Sequence, residues 1–79
     1  MKLPRNVHGR DLANHLIRRW DFRELRQTGS HIILRTEVPS GLSISIPAHK
    51  PLRLGTLSGL LDTIAAHKCI SIESLLNKL

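Results

Sequence analysis

The residues of this chain best suited to chemistry are its five histidines, at positions 8, 15, 31, 49 and 67. An imidazole with an ordinary pKa of about 6.5 can take up or release a proton at physiological pH, which suits it to general acid–base catalysis. His67 and Cys69 do not have the paired spacing of a structural zinc site, so no metal site is predicted. Because a lone histidine is more often a surface residue than a catalyst, the histidines alone do not define a function.

The basic residues are unevenly distributed along the chain. Twelve Lys and Arg against six Asp and Glu give a formal net charge of +6, and residues 55–79 carry two of each sign, so the whole excess precedes Gly55. A one-sided basic field concentrates polyanions and is typical of nucleic-acid-binding proteins. The alternative is an ordinary basic surface that maintains solubility, and charge alone weighs the two about equally.

Length and composition predict one domain over residues 1–79, with a core built mainly from Leu and Ile. So small a chain favours a polymer laid across its surface over an engulfed metabolite. Cys69 is the single cysteine, which excludes an intrachain disulfide and favours the cytoplasm. No apolar run follows the basic start of the chain, so neither a signal peptide nor a transmembrane segment is expected, and no membrane partner is predicted.

Hydrophobic periodicity predicts two main helices and a short last one. The first helix has its apolar stripe at Leu12, Ala13, Leu16, Ile17 and Trp20, and the second at Leu57, Leu60, Leu61, Ile64 and Ala65. Ser71 is the predicted N-cap of the last helix. Three antiparallel strands are expected between the two main helices, which makes the fold class α+β.

Turn residues divide the segment between the main helices into strands. Residues 27–30 read as a turn in which Gly29 can take positive φ, and residues 31–35 are the β-branched second strand. Residues 39–41 form the next turn. The third strand, residues 42–46, alternates Leu and Ile with two serines, a pattern typical of a half-buried strand.

The helices are expected to cover one face of this sheet and leave the other open to water. Aligning the apolar residues of the third strand with Ile32 and Leu34 places His31 and Arg35 on the open face, beside the two serines. Ile33 fits this assignment poorly and is interpreted as a contact with another protein.

Three segments resemble signatures of the HicA family of toxin mRNA interferases: residues 26–31 (RQTGSH), 44–49 (ISIPAH) and 54–57 (LGTL). The resemblance covers a core of about residues 9–66. It implies a minimal relative of the double-stranded RNA-binding domain, with the helix and strand order predicted above.

The resemblance also implies an activity and a partner. Members of the family cleave messenger RNA with little sequence preference, halt translation, and are held inactive by a HicB-type antitoxin that covers the active face. The family motif is a Gly, a small residue and the catalytic His, which Gly29, Ser30 and His31 match in order. Many members carry a second consecutive histidine, and Ile32 stands at that position here.

RNA supplies its own nucleophile, so such an enzyme needs neither a metal nor another cofactor. His31 is the predicted general base or acid, and the predicted products carry a 2′,3′-cyclic phosphate and a 5′-hydroxyl. Ser30 and the Gly29 amide are predicted to orient the scissile phosphate. The cations predicted to neutralise it are Arg26, Arg35, Lys50 or Arg53.

Other interpretations stay open at this point. The same basic face would serve a nonhydrolytic RNA-binding module that recognises A-form backbone by shape. A DNA-binding protein is disfavoured, because a helix-turn-helix needs two close helices and three strands intervene here. A purely antitoxin-binding protein is a further alternative. His49 is either a second proton carrier or, as we favour, a turn residue.

Overall fold

A computed structural model describes residues 3–79 of the chain. In chain order the elements are α1 (Gly9–Arg19), β1 (Arg23–Thr28), β2 (His31–Thr36), β3 (Leu42–Pro47), α2 (Leu54–Lys68) and α3 (Ile72–Leu76). The strands form an antiparallel sheet in the order β1-β2-β3. The predicted α+β architecture of a helix, three antiparallel strands and two further helices is confirmed.

Helices α1 and α2 both contact the sheet, and their buried side chains share one core with the inward side chains of β2 and β3, so they cover the same face. The buried apolar side chains form one cluster, made of Val7, Leu12, Ala13, Leu16, Phe22, Ile32, Leu34, Ile44, Ile46, Leu52, Leu57, Leu61, Ile64, Ala65 and Leu75. Both predicted helical stripes supply this core, with Ile17, Trp20 and Leu60 partly buried at its margin. Val7 and Leu75 lie outside the 9–66 segment that carries the resemblance, so the flanking segments complete the core.

The first turn of the sheet is shorter than the sequence predicted. Gln27 and Thr28 were expected in the turn, but they belong to β1 and pair with Ile32 and His31. Only Gly29 and Ser30 connect the strands, with Gly29 at φ 58°. A two-residue connection needs positive φ, which glycine adopts without a steric penalty. His31 therefore begins β2 directly after the turn.

His15 connects α1 to α3. Its side chain is 4% exposed, and its Nε2 lies 2.7 Å from the carbonyl oxygen of Leu75. Because a carbonyl oxygen only accepts hydrogen bonds, Nε2 carries the proton and donates it. The sequence offered no partner for this histidine, which the structure identifies as part of the helix packing.

Replacing His15 with alanine is expected to lower the free energy of unfolding by about 1–3 kcal/mol, because the Leu75 carbonyl loses its partner and the buried ring leaves a gap. Urea denaturation followed by circular dichroism measures the change. His49→Ala is the matched control, since that side chain is exposed and its loss should change stability by less than about 0.5 kcal/mol. Equal midpoints for the two variants would contradict the proposed role of His15.

Candidate nucleic-acid interface

The face of the sheet that the helices leave uncovered carries the predicted site. Residues directly paired across strands share a face, so the pairing assigns this outer face. Its members are Arg23, Arg26 and Thr28 of β1, His31, Ile33 and Arg35 of β2, and Ser43, Ser45 and Pro47 of β3. The prediction that His31 and Arg35 lie on the open face beside the two serines is confirmed.

A β-bulge at Leu25 decides which charges of β1 reach the outer face. Arg26 pairs with Ile33, but the next pair along is Glu24 with Leu34, so Leu25 is the extra residue. Strict alternation would put Glu24 on the same face as Arg26. With the bulge, Arg23 joins Arg26 on the outer face, and Glu24 turns toward the helices.

Arg10 of α1 holds the inner side of β1. Its Nη1 donates to Oε1 of Glu24 at 2.7 Å, and its Nη2 donates to Oε1 of Gln27 at 2.8 Å. The hydrogen bond from Arg10 lowers the pKa of the Glu24 carboxyl below its ordinary value, and the charge of Arg10 adds to this effect. The one acidic residue of β1, Glu24, is thus paired with Arg10 and does not lie on the outer face.

His31 stands at the edge of this face beside the loop that follows β3. It pairs with Pro47, and the Ala48 amide donates to the carbonyl oxygen of Ser30 at 2.6 Å. The loop of residues 48–53 therefore starts alongside the Gly29 turn. The His31 side chain is exposed, and it has no hydrogen-bond partner within residues 3–79. Its ring is accessible to a ligand.

The side chain of the residue after His31 lies on the opposite face of the sheet. Ile32 pairs with Ile46 and is 0% exposed, within the core. Successive side chains of a strand alternate between faces, so a second histidine at this position would face the helices. The departure from the paired histidines of many HicA members therefore removes no group from the outer face.

The loop after β3 is hydrogen-bonded to the N-terminal segment and the start of α1. The Gly9 amide donates to the carbonyl oxygen of His49 at 3.0 Å, and the Leu52 amide donates to that of Val7 at 2.8 Å. A Cβ at Gly9 would overlap the carbonyl oxygen of Pro47. Glycine at this position therefore permits the close approach of α1 to the end of β3. The exposed side chains of His49 and Lys50 are thereby carried on a loop whose backbone is hydrogen-bonded to Gly9 and Val7.

The predicted site residues fall into two groups. Gly29 and Ser30 adjoin His31 in sequence, and Arg26 is its diagonal neighbour on the same face, at about 7–8 Å between Cα atoms. Lys50 lies in the loop beside the turn, and Arg53 ends that loop as the exposed N-cap of α2. Arg35 is separate, since four positions along β2 place it roughly 13 Å from His31.

The guanidinium of Arg35 has polar partners that the sequence did not predict. Its Nε and Nη2 donate to the two carboxylate oxygens of Glu37, at 2.5 and 3.4 Å, and its Nη1 donates to Oγ of Ser43 at 2.8 Å. Nη2 of Arg23 lies 3.9 Å from the same carboxylate. The hydrogen bond from Arg35 is the main cause of a lowered pKa at Glu37. The two-residue spacing of opposite charges in a strand is the signal that could have revealed this pair.

Two polar side chains at the end of α2 have structural partners. Lys68 donates to Oγ1 of Thr36 at 2.9 Å and to the carbonyl oxygen of Val38 at 2.6 Å, and burial lowers its pKa. Nε2 of His67 donates to the carbonyl oxygen of Ser40 at 2.8 Å. These two residues connect the end of α2 by hydrogen bonds to the end of β2 and the turn that follows it, at the end of the sheet opposite His31.

A cavity lies on the helical side of the molecule. It has a volume of about 860 Å³ and is lined by residues of the N-terminal segment, α1 and the C-terminus, among them Val7, His15, Arg18 and Leu76. None of the predicted site residues lines it. In the chain from Leu3 onward, no three His, Cys, Asp or Glu side chains are grouped so that they could hold a metal ion.

The fold and the outer face thus define the chain as a small α+β protein with an open, basic sheet face. Comparison with protein-family models, curated proteins and solved structures gives no match. Across residues 3–79, no helix combines the length and the apolar character needed to cross a membrane.

Proposed function

We propose that this chain is a metal-independent endoribonuclease that cleaves messenger RNA on its outer sheet face, as the toxin component of a type II toxin–antitoxin system. The observation that carries the proposal is the exposed ring of His31, which has no hydrogen-bond partner in the described part of the chain and lies beside a glycine turn, on the same face as Arg26. Support also comes from the resemblance to the HicA family and from the helix–sheet–helix order, which is similar to that of double-stranded RNA-binding domains.

The proposed chemistry follows from the groups at this edge of the sheet. His31 accepts the proton of a 2′-hydroxyl, whose oxygen attacks the adjacent phosphorus, and the 5′-oxygen leaves and is protonated. In the alternative role of general acid, the protonated His31 ring donates its proton to the leaving 5′-oxygen as the bond from phosphorus to that oxygen breaks. The Gly29 amide and the Ser30 hydroxyl orient the phosphate, and the cations Arg26 and Lys50 stabilise its added negative charge. The products are a 2′,3′-cyclic phosphate and a 5′-hydroxyl.

The proposed inhibitor is a HicB-type antitoxin that covers the outer face. Ile33 is half-buried in the middle of this face, between Arg26 and Ser45. An apolar side chain surrounded by cations suits a protein partner with complementary acidic groups. RNA and such a partner would compete for the same surface. Binding of the partner at α3 with RNA cleavage unchanged would contradict this mode of inhibition.

The proposed activity is tested by incubating the purified protein with a long RNA in EDTA and analysing the ends of the fragments. Fragments with 2′,3′-cyclic phosphate and 5′-hydroxyl ends are expected without added metal. A mock preparation from cells lacking the gene controls for contaminating nucleases. Fragments with 5′-phosphate ends, formed only when Mg²⁺ is added, would overturn the mechanism.

A further inference from the structure

The end of β2 far from His31 carries a second cationic cluster on the outer face. Arg35 is its centre, with its guanidinium bound to both carboxylate oxygens of Glu37 and to the hydroxyl of Ser43. Arg23 faces the same carboxylate from β1. Gly41 leaves room for this arrangement, because a Cβ there would collide with the guanidinium of Arg35. The cluster therefore places two cations around one anion.

The geometry of this cluster also suits a phosphate. A guanidinium presents its donors as a planar fork that fits the oxygens of a carboxylate or a phosphate equally well. Ser43 adds a hydroxyl of the kind that contacts phosphate oxygens in nucleic-acid complexes. Glu37 thus occupies the position at which these donors would bind a phosphate.

The Glu37 carboxylate is also in a position from which a ligand can displace it. It follows the last residue of β2, and its side chain is 57% exposed. An exposed ion pair contributes little to stability, because solvent screens the two charges. Rotation of the Glu37 side chain would release Arg35 and Arg23 without any change in the sheet, while Ser43 still holds Arg35.

We propose that Arg35 and Arg23 form a second phosphate-binding subsite for the RNA backbone, and that Glu37 occupies this subsite in the free protein as a substitute for the phosphate. The inference rests on the proposed function, because RNA bound at His31 is the polyanion that would extend across the outer face. It assigns a subsite roughly 13 Å from the cleavage site along β2. Glu37 accordingly lowers the affinity for RNA by competing with one phosphate.

The test compares Glu37→Gln with Asp62→Asn in binding to a 2′-O-methyl RNA, which lacks the attacking hydroxyl and stays intact. Both variants remove one negative charge, but Asp62 is exposed on α2, on the helical side of the sheet. Glu37→Gln should bind at least about threefold more tightly than Asp62→Asn at roughly 50 mM salt. The slope of log affinity against log salt should be steeper for Glu37→Gln than for Asp62→Asn by about 0.7–0.9, as expected for one more neutralised phosphate.

A double variant, Arg35→Gln with Glu37→Gln, shows whether the gain depends on the released arginine. In the double variant, the gain in RNA affinity over Asp62→Asn should disappear. Equal affinities and slopes for Glu37→Gln and Asp62→Asn, or a gain that persists without Arg35, would overturn the subsite while leaving RNA binding at His31 intact. Failure of the wild type and every variant to bind RNA would overturn the proposed function together with the subsite.

Discussion

Replacing His31 with alanine is expected to reduce the rate of RNA cleavage by about 10²–10⁴-fold, the usual contribution of a positioned general acid or base. The fold should be unaffected, because the side chain is exposed and makes no hydrogen bond to the described part of the chain. RNA affinity should change little, since Arg26 and the other cations of the outer face are retained. Gel analysis of RNA fragments and a binding titration measure the two effects separately.

His49→Ala is the control for this experiment. It removes a second exposed histidine from the loop beside the turn, while the backbone bond from Gly9 to the His49 carbonyl remains. Cleavage by this variant should stay within a few-fold of wild type if His49 is a turn residue. Equal activity of wild type and His31→Ala would refute the assigned catalyst. RNA binding without cleavage by the wild type would instead favour the nonhydrolytic module.

Alanine at Gly9 is expected to destabilise the protein by about 1–3 kcal/mol, the usual effect of forcing extra atoms into a packed site. The added Cβ would overlap the Pro47 carbonyl oxygen and lie 2.9 Å from its carbonyl carbon, so backbone must move. The first turn of α1 would be pushed from the loop that carries His49 and Lys50. Urea denaturation should show the loss of stability, and RNA cleavage should fall as the loop shifts from the Gly29 turn.

Gly55→Ala is the matched control, because Gly55 also lies in the first turn of a helix but has open space where its Cβ would be. Alanine is favoured over glycine in helices by about 0.5–1 kcal/mol. This variant should therefore be slightly more stable than the wild type. A Gly9→Ala protein as stable as the wild type would show that α1 and β3 are not held in close contact.

The sequence predicted those features that depend on local periodicity. The alternation of β3 identified its inward residues, and matching them to Ile32 and Leu34 was enough to place His31 on the open face. The helices were predicted for the same reason, since each has a continuous apolar stripe. The catalytic role of His31 stays a prediction, because it comes from the Gly29–Ser30–His31 motif and not from the fold.

Features that depend on distant contacts or on irregular backbone were not predictable. The bond from His15 to Leu75 joins residues 60 positions apart, and that from His67 to Ser40 spans 27. Nothing local to either histidine indicates its partner. All six residues of β1 are exposed, so this strand has no apolar alternation from which the bulge at Leu25 could have been inferred.

The bulge at Leu25 has a consequence for the solubility of the protein. β1 is an edge strand, and a long regular edge offers unpaired amide and carbonyl groups on which the strand of another molecule can assemble. The extra residue interrupts this regular row midway, and Arg23 and Arg26 flank it with like charges. The irregularity that brings both arginines to the outer face thus also makes β1 a poor template for aggregation.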